Sequence, residues 1–204
     1  MPLSGLFLVG VMTVSGASSP IEPPQSAAAA ATATGSTVSA LSSGAQVLTR
    51  AERLIAAPTG LRFPMDPLPR CIVGNNFGAM SKLYGAGAHE GVDIAATLGQ
   101  SVFAVVDGVL SRQFNDNGAA GLGWELRPAT GDTRYRYFHL SGFAPGLTTG
   151  DTVSAGQLIG YVGDTGNPGA GNYHLHFEVR PANVPVDPVP LLAIPAACQV
   201  LPKP

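Results

Sequence analysis

The sequence predicts a mainly β domain of antiparallel sheets, and three observations support this prediction. From Leu61 onward, short runs rich in β-branched and aromatic residues follow one another closely. Turn signals separate these runs, as in NDNG at 115–118, ATGD at 129–132 and TTGD at 148–151. No long run in this region has the period of a helix, so we expect strands throughout.

Seven segments carry this strand pattern. In chain order they are IVGNNF at 72–77, GVDIAA at 91–96, SVFAVVDGVLSRQF at 101–114, GWELRPA at 123–129, TRYRYFHL at 133–140, DTVSAGQLIGYVG at 151–163 and YHLHFEVR at 173–180. β-branched residues recur in the first three segments, and aromatic residues alternate with charged ones in TRYRYFHL. Closely spaced strands with such turns are typical of an all-β domain, and no repeat of fixed period is present.

The chain begins with an apolar leader. Its apolar stretch, residues 3–14, is too short for a comfortable transmembrane helix, and Ser15 and Ala17 fit the minus-three and minus-one positions of a cleavage site. We interpret residues 1–17 as a signal peptide and expect export to the periplasm, the extracellular space or the cell wall. The n-region lacks Lys and Arg, so an upstream start or a plain apolar leader are the alternatives.

The remaining chain divides into a linker, a domain and a tail. Residues 18–60 are predicted to be a disordered, low-complexity linker in which 46–57 can form a short amphipathic helix. The β domain is assigned to 61–195, and a tail to 196–204.

A net charge of −2 gives no electrostatic case for binding nucleic acid or an anionic membrane surface. No other segment can span a bilayer, and we favour a monomer.

The two cysteines, Cys71 and Cys198, lie near the two ends of the domain. In an oxidising compartment a bridge between them would tie those ends together, with a chain-entropy stabilisation of roughly 4–5 kcal/mol for so long a loop. The alternative is two unpaired thiols, because pairing cannot be deduced from sequence alone.

All four histidines fall in the β domain, at His89, His139, His174 and His176. HEGVD at 89–93 superficially resembles the helical zinc motif HExxH, with Asp93 in place of the last histidine and Glu90 in the place of the base. Gly91 is a poor helix residue, however, and the run continues as a strand. We therefore predict that His89 and Asp93 are ligands on an extended or bent segment, and that Glu90 points to solvent.

HLH at 174–176 places two histidines two residues apart in a strand. Alternation then directs both imidazoles to one face and Leu175 to the opposite layer. In YRYFHL the same rule places His139 on the face of Tyr135 and Tyr137. Two exposed histidines on a sheet face, or a merely packed His139, are the alternatives.

Two histidines and one carboxylate form a known catalytic zinc set that leaves a fourth position open for water. Two further histidines would remain to move protons and to stabilise an oxyanion. Spacing alone does not decide which histidine of HLH is the ligand.

The sequence resembles the lysostaphin-type (LytM-like) zinc endopeptidases that cut peptidoglycan cross-bridges. The matching pieces, in order, are NNFG at 75–78, HEGVDIAATLGQSVFAVVDGVL at 89–110, YFHLSGF at 137–143, GDTVSAGQLIGYVGDTG at 150–166 and HLHFEVRPANVPVDP at 174–188. The resemblance covers about residues 70–192, and the presence of both HxGxD and HxH makes it specific.

This resemblance implies the antiparallel, duplicated-hybrid-motif type of fold, with a groove that holds one Zn²⁺. By motif position, His89 and Asp93 correspond to the HxGxD ligands, and His176 to the ligand at the second histidine of HxH. His174 and His139 correspond to the pair that flanks the metal water. The implied reaction is attack by a zinc-activated water on a peptide carbonyl of peptidoglycan, with proton transfer and oxyanion stabilisation shared by those two histidines.

Some positions depart from the family pattern and leave the substrate preference open. Gly87 and Ala88 stand where a charged residue is common, and Tyr173 stands where Pro usually precedes HLH. Tyr84 is a candidate to supply a phenol to the oxyanion, although a structural tyrosine is the commoner case. Two other functions stay open: a non-catalytic regulator of other wall hydrolases, and a zinc endopeptidase that acts on Gly-rich proteins.

Overall fold

The computed structural model describes residues 60–80, 87–115 and 118–204. The signal peptide predicted at 1–17, the helix predicted at 46–57 and Tyr84 lie outside the described residues, as does all but the last residue of the predicted linker.

The described residues form ten strands. These are β1 (Ile72–Val73), β2 (Val92–Ala95), β3 (Ser101–Phe103), β4 (Gly108–Asn115), β5 (Leu122–Pro128), β6 (Arg134–Phe143), β7 (Thr152–Val153), β8 (Leu158–Val162), β9 (His174–Arg180) and β10 (Gln199–Val200). Two short 3₁₀ turns, Pro181–Asn183 and Val189–Leu191, follow β9. In this part of the chain no helix is long and apolar enough to cross a membrane.

One sheet contains all of these strands, in the order β10-β1-β2-β9-β6-β5-β4-β7, and β8 pairs with both β3 and β6. The pairs are antiparallel except for β1 with β10, so the predicted fold class is confirmed. The strand β9 lies at the centre, between β2 and β6, and every one of its residues is buried. The HLH motif begins this central strand.

Apolar side chains from many strands pack into one core on one side of β9. Leu175, Phe177 and Val179 point into this core, as the period of two requires. Trp124 and Tyr137 are also fully buried there, and their polar atoms are paired: Trp124 Nε1 donates to the Ile159 carbonyl at 2.9 Å, and Tyr137 Oη accepts from the Val105 amide at 3.0 Å. The opposite side of β9 is therefore free to carry the histidines.

The prediction that His139 shares a face with Tyr135 and Tyr137 is wrong. Strand β6 contains a bulge here: Tyr137 pairs with Trp124 and Leu140 with Leu122, so β6 has one more residue than β5 over this stretch. His139 takes a positive φ of 64°, which breaks the alternation. Its imidazole lies on the groove side with Phe138 instead of in the core.

A disulfide joins Cys71 and Cys198, whose Cα atoms are 4.7 Å apart. Residues 199–200, which the sequence assigned to a tail, form β10 beside β1. The Gln199 amide donates to the Cys71 carbonyl at 3.0 Å, and the bridge holds β10 in this register. The described C-terminal segment is thus part of the sheet.

Candidate active site

A groove of about 690 Å³ runs over the side of the sheet opposite the core. Strands β2, β6 and β9 supply its floor, and the loops around 87–90, 119–120 and 167–172 supply its walls. Its lining consists of Gly87, Ala88, His89, Glu90, Asp93, Ala119, Ala120, Arg136, Phe138, His139, Asn167, Pro168, Asn172, His174, His176 and Glu178. All four histidines of the chain therefore meet in one cavity.

Three of the groove residues bring one donor atom each to a common point. His89 Nε2 lies 2.9 Å from His176 Nδ1 and 3.1 Å from Asp93 Oδ1, and the latter two atoms are 3.0 Å apart. Direct pairing of Asp93 with His176 across β2 and β9 produces this convergence. His89, Asp93 and His176 can together hold a metal ion.

Hydrogen bonds made by one nitrogen of each imidazole determine which nitrogen faces the common point. His89 Nδ1 donates to the Asn76 carbonyl at 3.1 Å, and His176 Nε2 donates to Glu178 Oε1 at 3.2 Å. Because these partners can only accept, each proton is assigned to the outer nitrogen. When both rings are neutral, their inner nitrogens and the carboxylate oxygen direct three lone pairs at the same point, an arrangement that suits a cation.

Asp93 is held as an ionised carboxylate. Burial raises its pKa, but hydrogen bonds and charge interactions with His176 and His89 outweigh burial and hold the pKa far below its usual range. Asn76 supports it from behind, since Asn76 Nδ2 donates to Asp93 Oδ2 at 2.8 Å and Asn76 Oδ1 accepts from the Asp93 amide at 3.2 Å. In the absence of a metal, burial lowers the pKa of His176, but Asp93 and Glu178 raise it to about 9.

The two remaining histidines, His139 and His174, lie beside these three residues. His174 Nε2 is 3.7 Å from Asp93 Oδ1, and the His139 and His174 ring centroids are 4.8 Å apart. Each donates from Nδ1 to a backbone carbonyl at 2.8 Å, His139 to Thr165 and His174 to Asn172. Burial and the neighbouring His174 and His176 lower the pKa of His139 to about 4, so it is neutral at pH 7 with Nε2 free.

Gly91 of the HEGVD motif lies against β9 without a side chain. A Cβ at this position would be 2.5 Å from the Phe177 carbonyl oxygen and 2.8 Å from His176 Nε2. The glycine is therefore required by the close approach of the segment 89–93 to the imidazole of His176. This contact explains why the motif places a glycine between its two candidate ligands.

A row of alternating charges, Glu125, Arg136 and Glu178, crosses three neighbouring strands beside the histidines. We call this row the charge ladder. Arg136 lies directly opposite both Glu178 on β9 and Glu125 on β5, and its Nε donates to Glu125 Oε2 at 3.1 Å. At the groove rim Glu90 is about half exposed, as predicted, but it also accepts a hydrogen bond of 2.7 Å from Arg180. The sequence predicted the exposure of Glu90 but not its ion pair with Arg180.

The sequence was compared with models of known protein families. The sequence profile of peptidase family M23 matches residues 87–188, half of the 204-residue chain, and includes all four histidines. The chain belongs to peptidase family M23. The lysostaphin-like resemblance seen in the sequence is thereby confirmed.

Curated relatives with endopeptidase names support the same assignment. The L-Ala–D-Glu endopeptidase of Bacillus subtilis is 41% identical over 102 residues, which are 47% of this chain and 30% of the relative. The glycyl-glycine endopeptidase ALE-1 of Staphylococcus capitis is 35% identical over 58% of this chain and 33% of the relative. The chain thus spans about a third of the length of these curated relatives.

A solved M23 structure supports the fold. The catalytic domain of the antimicrobial peptidase lysostaphin from Staphylococcus simulans has 31% identity and a TM-score of 0.52, and the match covers 58% of this chain and 89% of that domain.

Sequence reasoning found the histidines and Asp93 but missed the residues that hold them. Asn76, Thr165, Asn172 and Glu178 all receive or donate a hydrogen bond at the site. The period of two could have found Glu178, which is two residues beyond His176 on the same strand face. The other three act partly or wholly through backbone carbonyls, which no side-chain pattern reveals.

Proposed function

We propose that the chain is a zinc-dependent endopeptidase that hydrolyses peptide cross-links of bacterial peptidoglycan. One observation carries the proposal: three candidate ligand atoms converge on the floor of an open groove, and two further histidines, each bound to a backbone carbonyl through Nδ1, lie beside them. The substrate class is supported by the M23 family membership and by the endopeptidase names of its relatives.

The donor set suits zinc. Two imidazole nitrogens and one carboxylate oxygen are the ligands of many catalytic zinc sites, which keep one position for water or substrate. The three donor atoms are 2.9–3.1 Å apart. Ligand atoms of a tetrahedral zinc ion with bonds of 2.0–2.1 Å are about 3.3 Å apart, so a small outward shift would accommodate the ion. We therefore assign His89, Asp93 and His176 as its ligands.

Zinc, when bound, would lower the pKa of a water molecule and polarise the peptide carbonyl. The protein's own part is the movement of protons by His174 and His139. Both enter the reaction with Nδ1 protonated toward a backbone carbonyl and with Nε2 able to accept. We propose His174 as the acceptor of the proton of the attacking water, because its Nε2 is only 3.7 Å from Asp93 Oδ1.

The proton that His174 has accepted is then passed to the leaving group. His174, once protonated, can donate from Nε2 to the leaving nitrogen as the C–N bond breaks, so that the amine departs neutral. His139 packs edge-on against His174 and is the second residue through which that proton can reach the oxyanion or the amine. A contribution of Tyr84 to the oxyanion stays a proposal, because Tyr84 lies outside the described residues.

The domain limits and the location also belong to the proposal. We assign the peptidase domain to 61–195, with residues 199–200 of the predicted tail added to its sheet as β10. A linker and the signal peptide at 1–17 precede it. Export follows from the proposed substrate, since peptidoglycan lies outside the cytoplasmic membrane, and the disulfide of Cys71 with Cys198 is compatible with an oxidising compartment.

Two variants separate metal binding from chemistry. His176→Ala removes a ligand, so the purified chain should lose its one equivalent of zinc as well as its activity. His174→Ala should retain zinc but release dye from labelled cell wall at least about 100-fold more slowly, since general acid–base catalysis contributes that much or more. Absence of zinc from the wild-type chain, or full activity of His174→Ala, would contradict the proposal.

The bond that is cleaved stays open among those of the relatives. Their names include L-Ala–D-Glu and glycyl-glycine bonds, and the second of these keeps cleavage of Gly-rich proteins as an alternative. A non-catalytic regulator is the other alternative. Such regulators typically lack metal ligands, whereas His89, Asp93 and His176 are all present in this chain.

A further inference from the structure

Glu178 occupies a position behind the candidate metal site that the proposed reaction does not use. It lies on β9 two residues beyond His176, so both side chains are on the groove side of the sheet. Its carboxylate is buried, and Oε1 accepts a hydrogen bond of 3.2 Å from His176 Nε2. The imidazole therefore lies between this carboxylate and the converging donor atoms.

Two arginines hold the other oxygen of Glu178. Arg180 Nη1 lies 2.9 Å from Oε2, and Arg136 Nη1 lies 3.5 Å from the same atom. Arg180 is itself paired with Glu90 at 2.7 Å, and Arg136 with Glu125 at 3.1 Å. A buried carboxylate needs such partners to remain ionised, and the pairing leaves Oε1 directed at the imidazole.

We propose that Glu178 is a positioning residue that fixes the tautomer and the ring orientation of His176 for zinc. The inference rests on the proposed zinc site and goes beyond it in assigning a residue that holds no metal. With its proton committed to Nε2, the imidazole of His176 offers Nδ1 as the metal-binding lone pair. Without the acceptor at Oε1, the competing tautomer with a protonated Nδ1 becomes available, and the ring can turn.

The first test is zinc affinity, measured by competition with a fluorescent chelator on the full chain. Glu178→Ala should bind zinc 10–100-fold more weakly, the usual effect of losing a partner behind a histidine ligand. Glu178→Gln should lose less, because its amide oxygen can still accept from Nε2–H. If the alanine variant does not fold, the zinc affinity of Glu178→Gln still tests the proposal.

Glu125 offers a matched control on the same ladder. It is buried and shares Arg136 with Glu178, but it contacts no histidine. Glu125→Ala and Glu125→Gln should therefore leave zinc affinity within about threefold of the wild type, although they disturb the same charges. Equal weakening by the Glu125 and Glu178 variants would overturn the proposal, since the ladder would then act only as a scaffold.

The second test reads the hydrogen bond between His176 Nε2 and Glu178 directly and does not need zinc. In ¹⁵N NMR of the metal-free chain, His176 should show an Nε2–H whose hydrogen exchanges slowly in the wild type and in Glu125→Gln. Glu178→Ala should lose this slow exchange. An unchanged Nε2–H signal in Glu178→Ala would overturn the inference. If instead the wild-type chain binds no zinc, the proposed function fails. The NMR test still decides whether Glu178 holds the imidazole of His176, because it uses the metal-free chain.

Discussion

Individual acceptors determine which nitrogen each histidine presents to the groove. A backbone carbonyl binds Nδ1 of His89, His139 and His174, and each of these rings therefore presents Nε2. His176 is the exception, since Glu178 binds its Nε2 and leaves Nδ1 facing the groove. Four identical side chains thus acquire two orientations from their hydrogen-bond partners.

Gly91 gives a prediction at the residue scale. In Gly91→Ala the new methyl group would meet the Phe177 carbonyl oxygen and the His176 ring at 2.5–2.8 Å, so the ring or the strand must shift. We expect zinc affinity to fall by about tenfold or more, the usual effect of a mutation that disturbs the position of a metal-binding side chain. Chelator competition measures this change.

Gly87→Ala is the control for that experiment. Gly87 also lines the groove, but a Cβ there has none of the described residues within 4 Å. Its zinc affinity should equal that of the wild type. Equal losses in both variants, or no loss in Gly91→Ala, would contradict the packing role of Gly91.

At the scale of elements, alternation predicts β9 correctly and fails for β6. In β9 the two histidines face the groove and Leu175 enters the core, because regular pairing with β2 and β6 preserves the period of two. In β6 the bulge before Leu140 reverses the side on which His139 lies. A bulge depends on pairing between distant strands, so the local sequence of β6 does not reveal it.

The contribution of β10 also escapes sequence reasoning. Its two strand residues, Gln199 and Val200, are exposed and carry no strong pattern of their own. They join the sheet because the bridge to Cys71 and the backbone of β1 hold them there. The sequence thus predicts long, regular strands and the four histidines, whereas short edge strands and backbone acceptors require the folded chain.

The charge ladder across β5, β6 and β9 predicts a pH-dependent stability. Burial raises the pKa of Glu125, but hydrogen bonds from Arg136, Ser111 and Arg127 outweigh burial and lower it below its ordinary value of 4.5. A carboxyl group with a lowered pKa in the folded state stabilises the fold above about pH 4.5. That contribution disappears as the pH falls through the folded pKa.

Glu125→Gln tests this ladder. At pH 7 the variant should unfold with a free energy about 1–3 kcal/mol below that of the wild type, because it loses charge-assisted hydrogen bonds. The difference should shrink as the pH falls below about 4.5. Urea unfolding of both metal-free chains between pH 3 and pH 7 measures it. A difference that does not depend on pH would mean that the charge of Glu125 contributes nothing.

At the scale of the whole molecule, the disulfide joins residues 127 positions apart and fastens β10 to β1. Closing so long a loop restricts the unfolded chain, with a limit of about 4–5 kcal/mol in the chain-entropy model. Cys198→Ser should therefore lower the free energy of unfolding by up to that amount, and thermal melting should show a lower Tm.

Reduction provides the control for this prediction. A thiol reductant should lower the Tm of the wild type to that of Cys198→Ser and should leave the variant unchanged. An equal Tm for the oxidised wild type and the variant would show that the bridge does not stabilise the fold.

The central claim joins the groove, the metal and the proposed substrate in one activity. Mass spectrometry of fragments from defined peptidoglycan, digested with and without a chelator, tests it most directly. We expect new peptide termini at a single type of cross-link, their loss with the chelator and their return when zinc is added. A chain that carries one equivalent of zinc and produces no fragments, or one that cleaves equally well with the chelator present, would contradict the account.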